Sequence, residues 1–173
     1  MEHFDIYDKE GNFLHKTATR GTPLPKGEYF MVIHVWIEDS NGRYLIQKRA
    51  KKSDPIPHQW AITSGVTSQG ETPKEGAIRE VKEELGLTLE PGDLEDRAHI
   101  VSHDESYHTI THVYHTFKAP SIDDLRFQKV EVLDALYVTL DKIRTMIDKG
   151  EFWNYPELLN EENYFNILES GSL

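Results

Sequence analysis

The chain contains no cysteine, which removes disulfides, thiolate metal ligands and a cysteine nucleophile together. Basic residues are scarce: 19 Lys and Arg stand against 30 Asp and Glu, a formal net charge of −11. Nonspecific binding to nucleic acid or to an anionic membrane depends on Lys and Arg meeting phosphate, so this balance argues against both partners. Long apolar runs are missing as well. The longest, near Met31 to Ile37, is interrupted by His34, and the opening Met1-Glu2-His3-Phe4-Asp5 lacks the basic and apolar segments of a secretion signal. The expectation is a cytoplasmic protein. Its 173 residues, 38% hydrophobic and 28% charged, are most simply one folded domain spanning 1–173.

What is present in abundance is carboxylate, and it is concentrated. The run Gly65-Val66-Thr67-Ser68-Gln69-Gly70-Glu71 leads into Arg79-Glu80-Val81-Lys82-Glu83-Glu84-Leu85-Gly86-Leu87. On a helix Glu80, Glu83 and Glu84 fall within an arc of roughly 100°, while Ile78, Val81 and Leu85 gather on another side. Like charges at this spacing destabilise a helix by a few tenths of a kcal/mol per pair, and more when partly desolvated. A cation relieves that cost. Hard oxygen ligands at such density suit Mg²⁺ or Mn²⁺, held by a few carboxylates, waters and the oxygens of a phosphorylated substrate.

The helix carrying these residues is well punctuated. Thr72 is the expected N-cap, Pro73 takes the first helical position, Glu75 completes a Thr-x-x-Glu capping box, and Gly86 stands where a left-handed C-terminal residue belongs. Upstream, residues 1–28 form an N-terminal extension. In it Phe4-Asp5-Ile6-Tyr7 and Phe13-Leu14-His15 read as a β-hairpin around residues 8–12, and 21–27 form a Pro/Gly connector. Tyr29 to Ile37 and Arg43 to Lys48 read as strands joined by a turn with an Asn41-Gly42 hairpin signal, and an extended run resumes at Trp60 to Thr63. Strands are expected near 98–102, 109–118 and 132–139, with helices over about 140–149 and 161–168. This mixture predicts an α/β sandwich.

From Gly65 to Leu87 the sequence is identified as a match to the Nudix box. In order it shows a Gly, five residues, a Glu, seven residues, Arg-Glu, an aliphatic, any residue, Glu-Glu, any residue, a Gly and an aliphatic. Gly65, Glu71, Arg79, Glu80, Val81, Glu83, Glu84, Gly86 and Leu87 fill every fixed position. The resemblance implies the Nudix fold, an α/β/α sandwich around a mixed β-sheet. It also implies hydrolysis of a diphosphate linkage in a nucleoside di- or triphosphate, or in a nucleoside diphosphate derivative, with Mg²⁺ or Mn²⁺. Carried over position by position, Glu80, Glu83 and Glu84 become the metal ligands, joined by a main-chain carbonyl near Ser64 or Gly65. Glu71 and Arg79 become an orienting pair. The base that takes the proton of the attacking water is open among Glu80, Glu131, Asp104 and Glu105.

The layout also resembles the type 1 isopentenyl diphosphate isomerase branch of the superfamily, through the N-terminal extension, Tyr44 to Arg49, a Pro-containing loop and a tail with Trp153. Those isomerases need a cysteine in the strand leading to the box, where this chain has Thr63-Ser64-Gly65, and their box is degenerate where this one is intact. Both departures favour hydrolysis over isomerisation. A catalytically silent nucleotide-binding module would show degenerate glutamates, and these are absent. Arg49 and Lys51, with Lys52, are candidate phosphate contacts, and His58 and Trp60 candidate substrate contacts by hydrogen bonding and stacking. His103, His108, His112 and His115 crowd one region without sharing a face, so no four-histidine metal cage is expected. The tail aromatics Phe152, Trp153, Tyr155, Tyr164 and Phe165 are expected in the core, with a base pocket or a homodimer surface as the alternative.

Overall fold

The computed structural model describes residues 3–50, 57–103, 108–155 and 161–170. Lys51, Lys52, Asp104 and Glu105 lie outside the described residues. The strands are β1 (His3–Tyr7), β2 (Phe13–Thr19), β3 (Phe30–Ile37), β4 (Tyr44–Arg49), β5 (Trp60–Ala61), β6 (Thr63–Val66), β7 (Glu95–His103), β8 (His108–Thr116) and β9 (Val132–Val138). The helices are α1 (Pro73–Leu85), α2 (Leu140–Asp148) and α3 (Glu161–Ser170).

β1 and β2 form the expected hairpin. The middle layer consists of two sheets, one ordered β6-β3-β8-β7 and one ordered β5-β4-β9. The first is mixed, because β3 runs parallel to β8 and antiparallel to β6. One face packs against α1, with Ile33, Val35, Leu45, Tyr114 and Ala135 meeting Ala77, Val81 and Leu85. Trp36, Ile46, Val113 and Val138 point the other way, to Ile143 and Met146 of α2 and Phe165 and Leu168 of α3. Helix, sheets and helices thus make the α/β/α order of a Nudix fold. Among the described residues no helix is long and apolar enough to cross a membrane.

The Asn41-Gly42 signal makes a turn but not an extended hairpin. The Asp39 amide donates to the Arg43 carbonyl at 2.8 Å, and a single bridge joins Glu38 to Tyr44. Beyond it the strands part, because each is central in its own sheet: β3 lies between β6 and β8, and β4 between β5 and β9. With both flanks occupied, neither strand has an edge left for the other. The extended run at Trp60 divides in the same way. Ala61 pairs with Gln47 of β4, whereas Thr63 pairs with Val35 of β3, and fully buried Ile62 marks the crossing.

Helix α1 starts and stops as its sequence dictates. Thr72 Oγ1 accepts from the Glu75 amide, and Glu75 Oε2 accepts from the Thr72 amide at 2.9 Å. Gly86 adopts φ +72° and donates its amide to the Lys82 carbonyl at 2.9 Å. The next orphan carbonyls are claimed by a distant loop: Leu85 accepts from the Arg126 amide at 2.8 Å and Glu84 from the Gln128 amide at 3.2 Å. Closing the helix end therefore brings residues 126–132 to the acidic side chains.

Candidate active site

Glu80, Glu83 and Glu84 leave α1 toward a cleft of about 190 Å³ that is also lined by Ser64 to Ser68, Arg49, Gln128 and Glu131. The three carboxylates occupy different environments. Glu83 is exposed, Glu80 half-buried, and Glu84 buried at 7% exposure. Glu84 Oε2 accepts a 2.6 Å hydrogen bond from Gln47 Nε2, and Gln47 Oε1 accepts from Thr63 Oγ1 at 3.4 Å. Burial, and then the charge of Glu80, push the Glu84 carboxyl up to about 8 despite that bond. Burial likewise raises Glu80, with Arg79 opposing. Two carboxylates that resist ionisation side by side form a donor set that a divalent cation would relieve.

Gly65 makes this packing possible. A β-carbon at that position would lie 2.8 Å from Glu80 Cγ and nearer still to its carboxylate, so the Glu80 side chain occupies the space any other residue would fill.

Arg79 ties the assembly together. Its Nε and Nη2 donate to Glu71 Oε1 and Oε2 at 2.8 and 2.9 Å, a bidentate pair. Nη1 donates to Glu80 Oε1 at 2.8 Å and Glu83 Oε2 at 3.2 Å, and Nη2 also reaches the Val66 carbonyl at 3.2 Å. Burial raises the Glu71 carboxyl, but the bonds from Arg79 and from the Ser68 amide outweigh it and hold the group below the usual carboxylate range. The sequence favours an orienting role for Glu71 and Arg79 over an ordinary surface ion pair worth under about 1 kcal/mol. In the fold the guanidinium is the hub that fixes loop and helix in one geometry.

The remaining sequence candidates divide. Arg49 and Glu131 line the cleft, joined through the Ala50 amide donating to the Glu131 carbonyl at 2.9 Å. His58 and Trp60 do not line it. His58 is exposed with φ +66°, and Trp60 packs against the α2–α3 core with Lys48 Nζ 5.8 Å from its ring centroid. The pairing of β5 with β4 carries both away from the box although they are near it in sequence. Phe152, Tyr155, Tyr164 and Phe165 are buried, as a core reading requires, and Trp153 is half-buried against them.

His112 and His115 lie on opposite faces of β8, as strand alternation requires. His115 is fully buried; its Nε2 lies 2.7 Å from Glu38 Oε2 and its Nδ1 accepts from Arg97 Nη2 at 3.2 Å. Burial pushes His112 down to about 4, with neighbouring His99 adding to it. A larger cavity of about 510 Å³ beside Glu38, Tyr44, Arg97 and Phe117 shares no residue with the acidic cleft.

The N-terminal hairpin enters the site, which the sequence did not signal. His3, Phe4 and Arg20 line the cleft. Asp5 Oδ2 accepts from the Gly70 amide at 2.8 Å, and the His3 carbonyl accepts from the Gln69 amide at 2.9 Å. The hairpin is thereby fastened to the loop that precedes α1.

Comparison with known proteins agrees with this geometry. The NUDIX domain model matches residues 29–159. A Nudix hydrolase of Listeria innocua is 35% identical over 158 residues, covering 90% of each chain. The nucleoside triphosphatase NudI of an Enterobacter species is 32% identical over 117 residues, 64% of this chain and 82% of that one. The crystal structure of DR0079 from Deinococcus radiodurans superposes with a TM-score of 0.75 at 18% identity, over 92% of this chain and 98% of the other, a likeness of fold. With a complete box folded around Arg79 and a family match over most of its length, the chain belongs to the Nudix hydrolases.

Proposed function

We propose that this enzyme hydrolyses the diphosphate linkage of a nucleotide or nucleoside diphosphate derivative, using Mg²⁺ or Mn²⁺ held by Glu80, Glu83 and Glu84. The observation that carries this reading is the burial of Glu84 beside Glu80, with Gly65 cut back to admit the latter. The donor set is all oxygen and partly desolvated, which fits a hard divalent cation, and Ser64 and Gly65, one of whose main-chain carbonyls is the further ligand in this reading, line the same cleft. Such an ion supplies charge withdrawal from phosphorus and a bound water of lowered pKa.

The protein's own groups do the rest. Arg79 holds Glu80 and Glu83 in one arrangement, and Gln47 aims Glu84. Glu131 approaches from a separate loop and serves as the base: a water oxygen bonds to phosphorus, its proton passes to the Glu131 carboxylate, and the anhydride P–O bond breaks to release a phosphate-bearing product. Arg49 and, from the hairpin, Arg20 supply positive charge at the cleft for the phosphates, which an acidic protein must provide locally. We read the chain as one domain, with the 1–28 extension part of its substrate site, and as a cytoplasmic enzyme. The absence of the isomerase cysteine and the intact glutamates set the isomerase and the silent binder aside.

The test is a panel of nucleoside di- and triphosphates and diphosphate conjugates incubated with Mg²⁺ or Mn²⁺, with products identified by mass. Hydrolysis of at least one, lost in Glu84→Gln and without metal, is expected. Full turnover by Glu84→Gln would overturn the ligand assignment.

A further inference from the structure

On the α1 face of the four-stranded sheet, away from the box glutamates, three side chains come together that no part of the hydrolytic site uses. His99 of β7 stands directly opposite His112 of β8, with ring centroids 4.2 Å apart. Asp96 would belong on the opposite face from His99, since residues three apart in a regular strand alternate. The register shifts between Asp96 and Ala98, so Asp96 lies opposite Tyr114 while His99 lies opposite His112. Tyr114 and His112 are two apart and share a face. The bulge at Arg97 therefore rotates Asp96 onto the histidine face, and Arg97 itself turns to His115 and Glu95.

The result is a compact donor set. One ligand atom from each of Asp96, His99 and His112 lies within 4.8 Å of the others. Asp96 Oδ2 and His99 Nε2 are 3.2 Å apart. His112 Nε2 is shielded from solvent and has no hydrogen-bond partner among the described residues, an unusual state for a buried ring nitrogen. The Lys74 ammonium, 5.9 Å from the Tyr114 ring centroid, is engaged by the carbonyls of Pro91 and Leu94 at 3.4 and 3.3 Å.

We propose that Asp96, His99 and His112 form a second divalent-metal site, selective for a borderline ion such as Zn²⁺, Co²⁺ or Ni²⁺. Two imidazoles and one carboxylate match the three protein ligands such ions commonly take, with water completing the shell, and imidazole discriminates against Mg²⁺. The ion would fasten strand β7 to β8 across the bulge. This site stands independently of the hydrolytic reading, because it shares no residue with the cleft.

Zn²⁺ binding to the full chain is measured by calorimetry in excess Mg²⁺, with the Co²⁺ absorption spectrum as a second readout. One Zn²⁺ per chain is expected, retained in Glu84→Gln and weakened by more than about a hundredfold in His99→Ala and in His112→Asn, beyond the 10- to 100-fold scale on which outer-shell partners act. His99 is exposed, so its replacement leaves the fold intact, as circular dichroism will report. Unchanged Zn²⁺ affinity in His99→Ala, or loss of the ion in Glu84→Gln alone, overturns the proposal.

Discussion

Glu84 is buried in the acidic cleft and held there by a short bond from Gln47, 2.6 Å between Oε2 and Nε2. Its proton affinity links the site to the stability of the whole chain. Burial first, and Glu80 second, raise its pKa from 4.5 to about 8, so between those values the folded chain holds a proton that the unfolded chain has lost. In metal-free protein the contribution is complete below about pH 4.5 and is lost as pH rises toward 8, each tenfold change in proton affinity being worth about 1.4 kcal/mol. Thermal melts in chelator across that window are expected to show a fall in the wild type and a flatter profile in Glu84→Gln. Mg²⁺ added near neutral pH is expected to restore the melting temperature and release protons. Identical profiles for the two proteins would contradict the burial argument.

Gly65→Ala tests the space that Glu80 occupies. The backbone of Gly65 is not in the left-handed region, so alanine brings no conformational strain there, only a methyl group 2.8 Å from Glu80 Cγ. The carboxylate must move. A misplacement on the ångström scale costs about a hundredfold in rate, and kcat is expected to fall by that order with the helical circular dichroism retained. A variant as active as the wild type would show that Glu80 has no fixed position to lose.

Arg79→Lys keeps the charge and removes the fork. Lysine cannot reproduce the paired bonds to Glu71 together with those to Glu80, Glu83 and the Val66 carbonyl. The expected outcome is a loss of about 1–3 kcal/mol in stability by denaturant melts, the scale of charged hydrogen bonds. Turnover is expected to fall at saturating metal, which separates positioning from simple metal affinity.

Glu131→Gln addresses the base. Removing a general base costs typically 10²- to 10⁴-fold in rate, and kcat is expected to fall by that order. Substrate affinity should change little. Turnover close to the wild type would transfer the role to another carboxylate.

The sequence disclosed most where the determinants are local. Helix α1 could be delimited residue by residue because Thr72, Pro73, Glu75 and Gly86 act within one turn of its ends, and the box spacing placed the three glutamates on it. The separation of β3 from β4 was not readable from the turn between them. It depends on β8 and β9 claiming their flanks, pairings more than sixty residues away in sequence. His58 and Trp60 stand outside the cleft lining for the matching reason: proximity in sequence to Gly65 is undone when β5 joins the other sheet. Gln47 gave no signal at all, since a glutamine on a strand looks like an ordinary polar position until Glu84 is found beneath it. The same holds for the hairpin, whose role rests on the contacts of His3 with Gln69 and of Asp5 with Gly70, the latter sixty-five positions apart.

That contact yields a last prediction. Asp5 is buried at 8% exposure and its Oδ2 takes the Gly70 amide at 2.8 Å, while the neighbouring Phe4 packs on Phe30 with centroids 5.1 Å apart. Asp5→Ala removes a charged acceptor from a partly buried amide at a cost of about 1–3 kcal/mol, and it loosens the wall that carries His3 and Arg20. If that wall reads the substrate, KM should rise severalfold while kcat changes less, because α1 and Arg79 are untouched. Arg20→Ala should raise KM too, since it takes away a cleft-lining cation while leaving the Asp5 fastening in place. Measuring both parameters and the melting temperature for the two variants separates substrate contact from hairpin docking. Unchanged KM in both would confine recognition to the elements around the box.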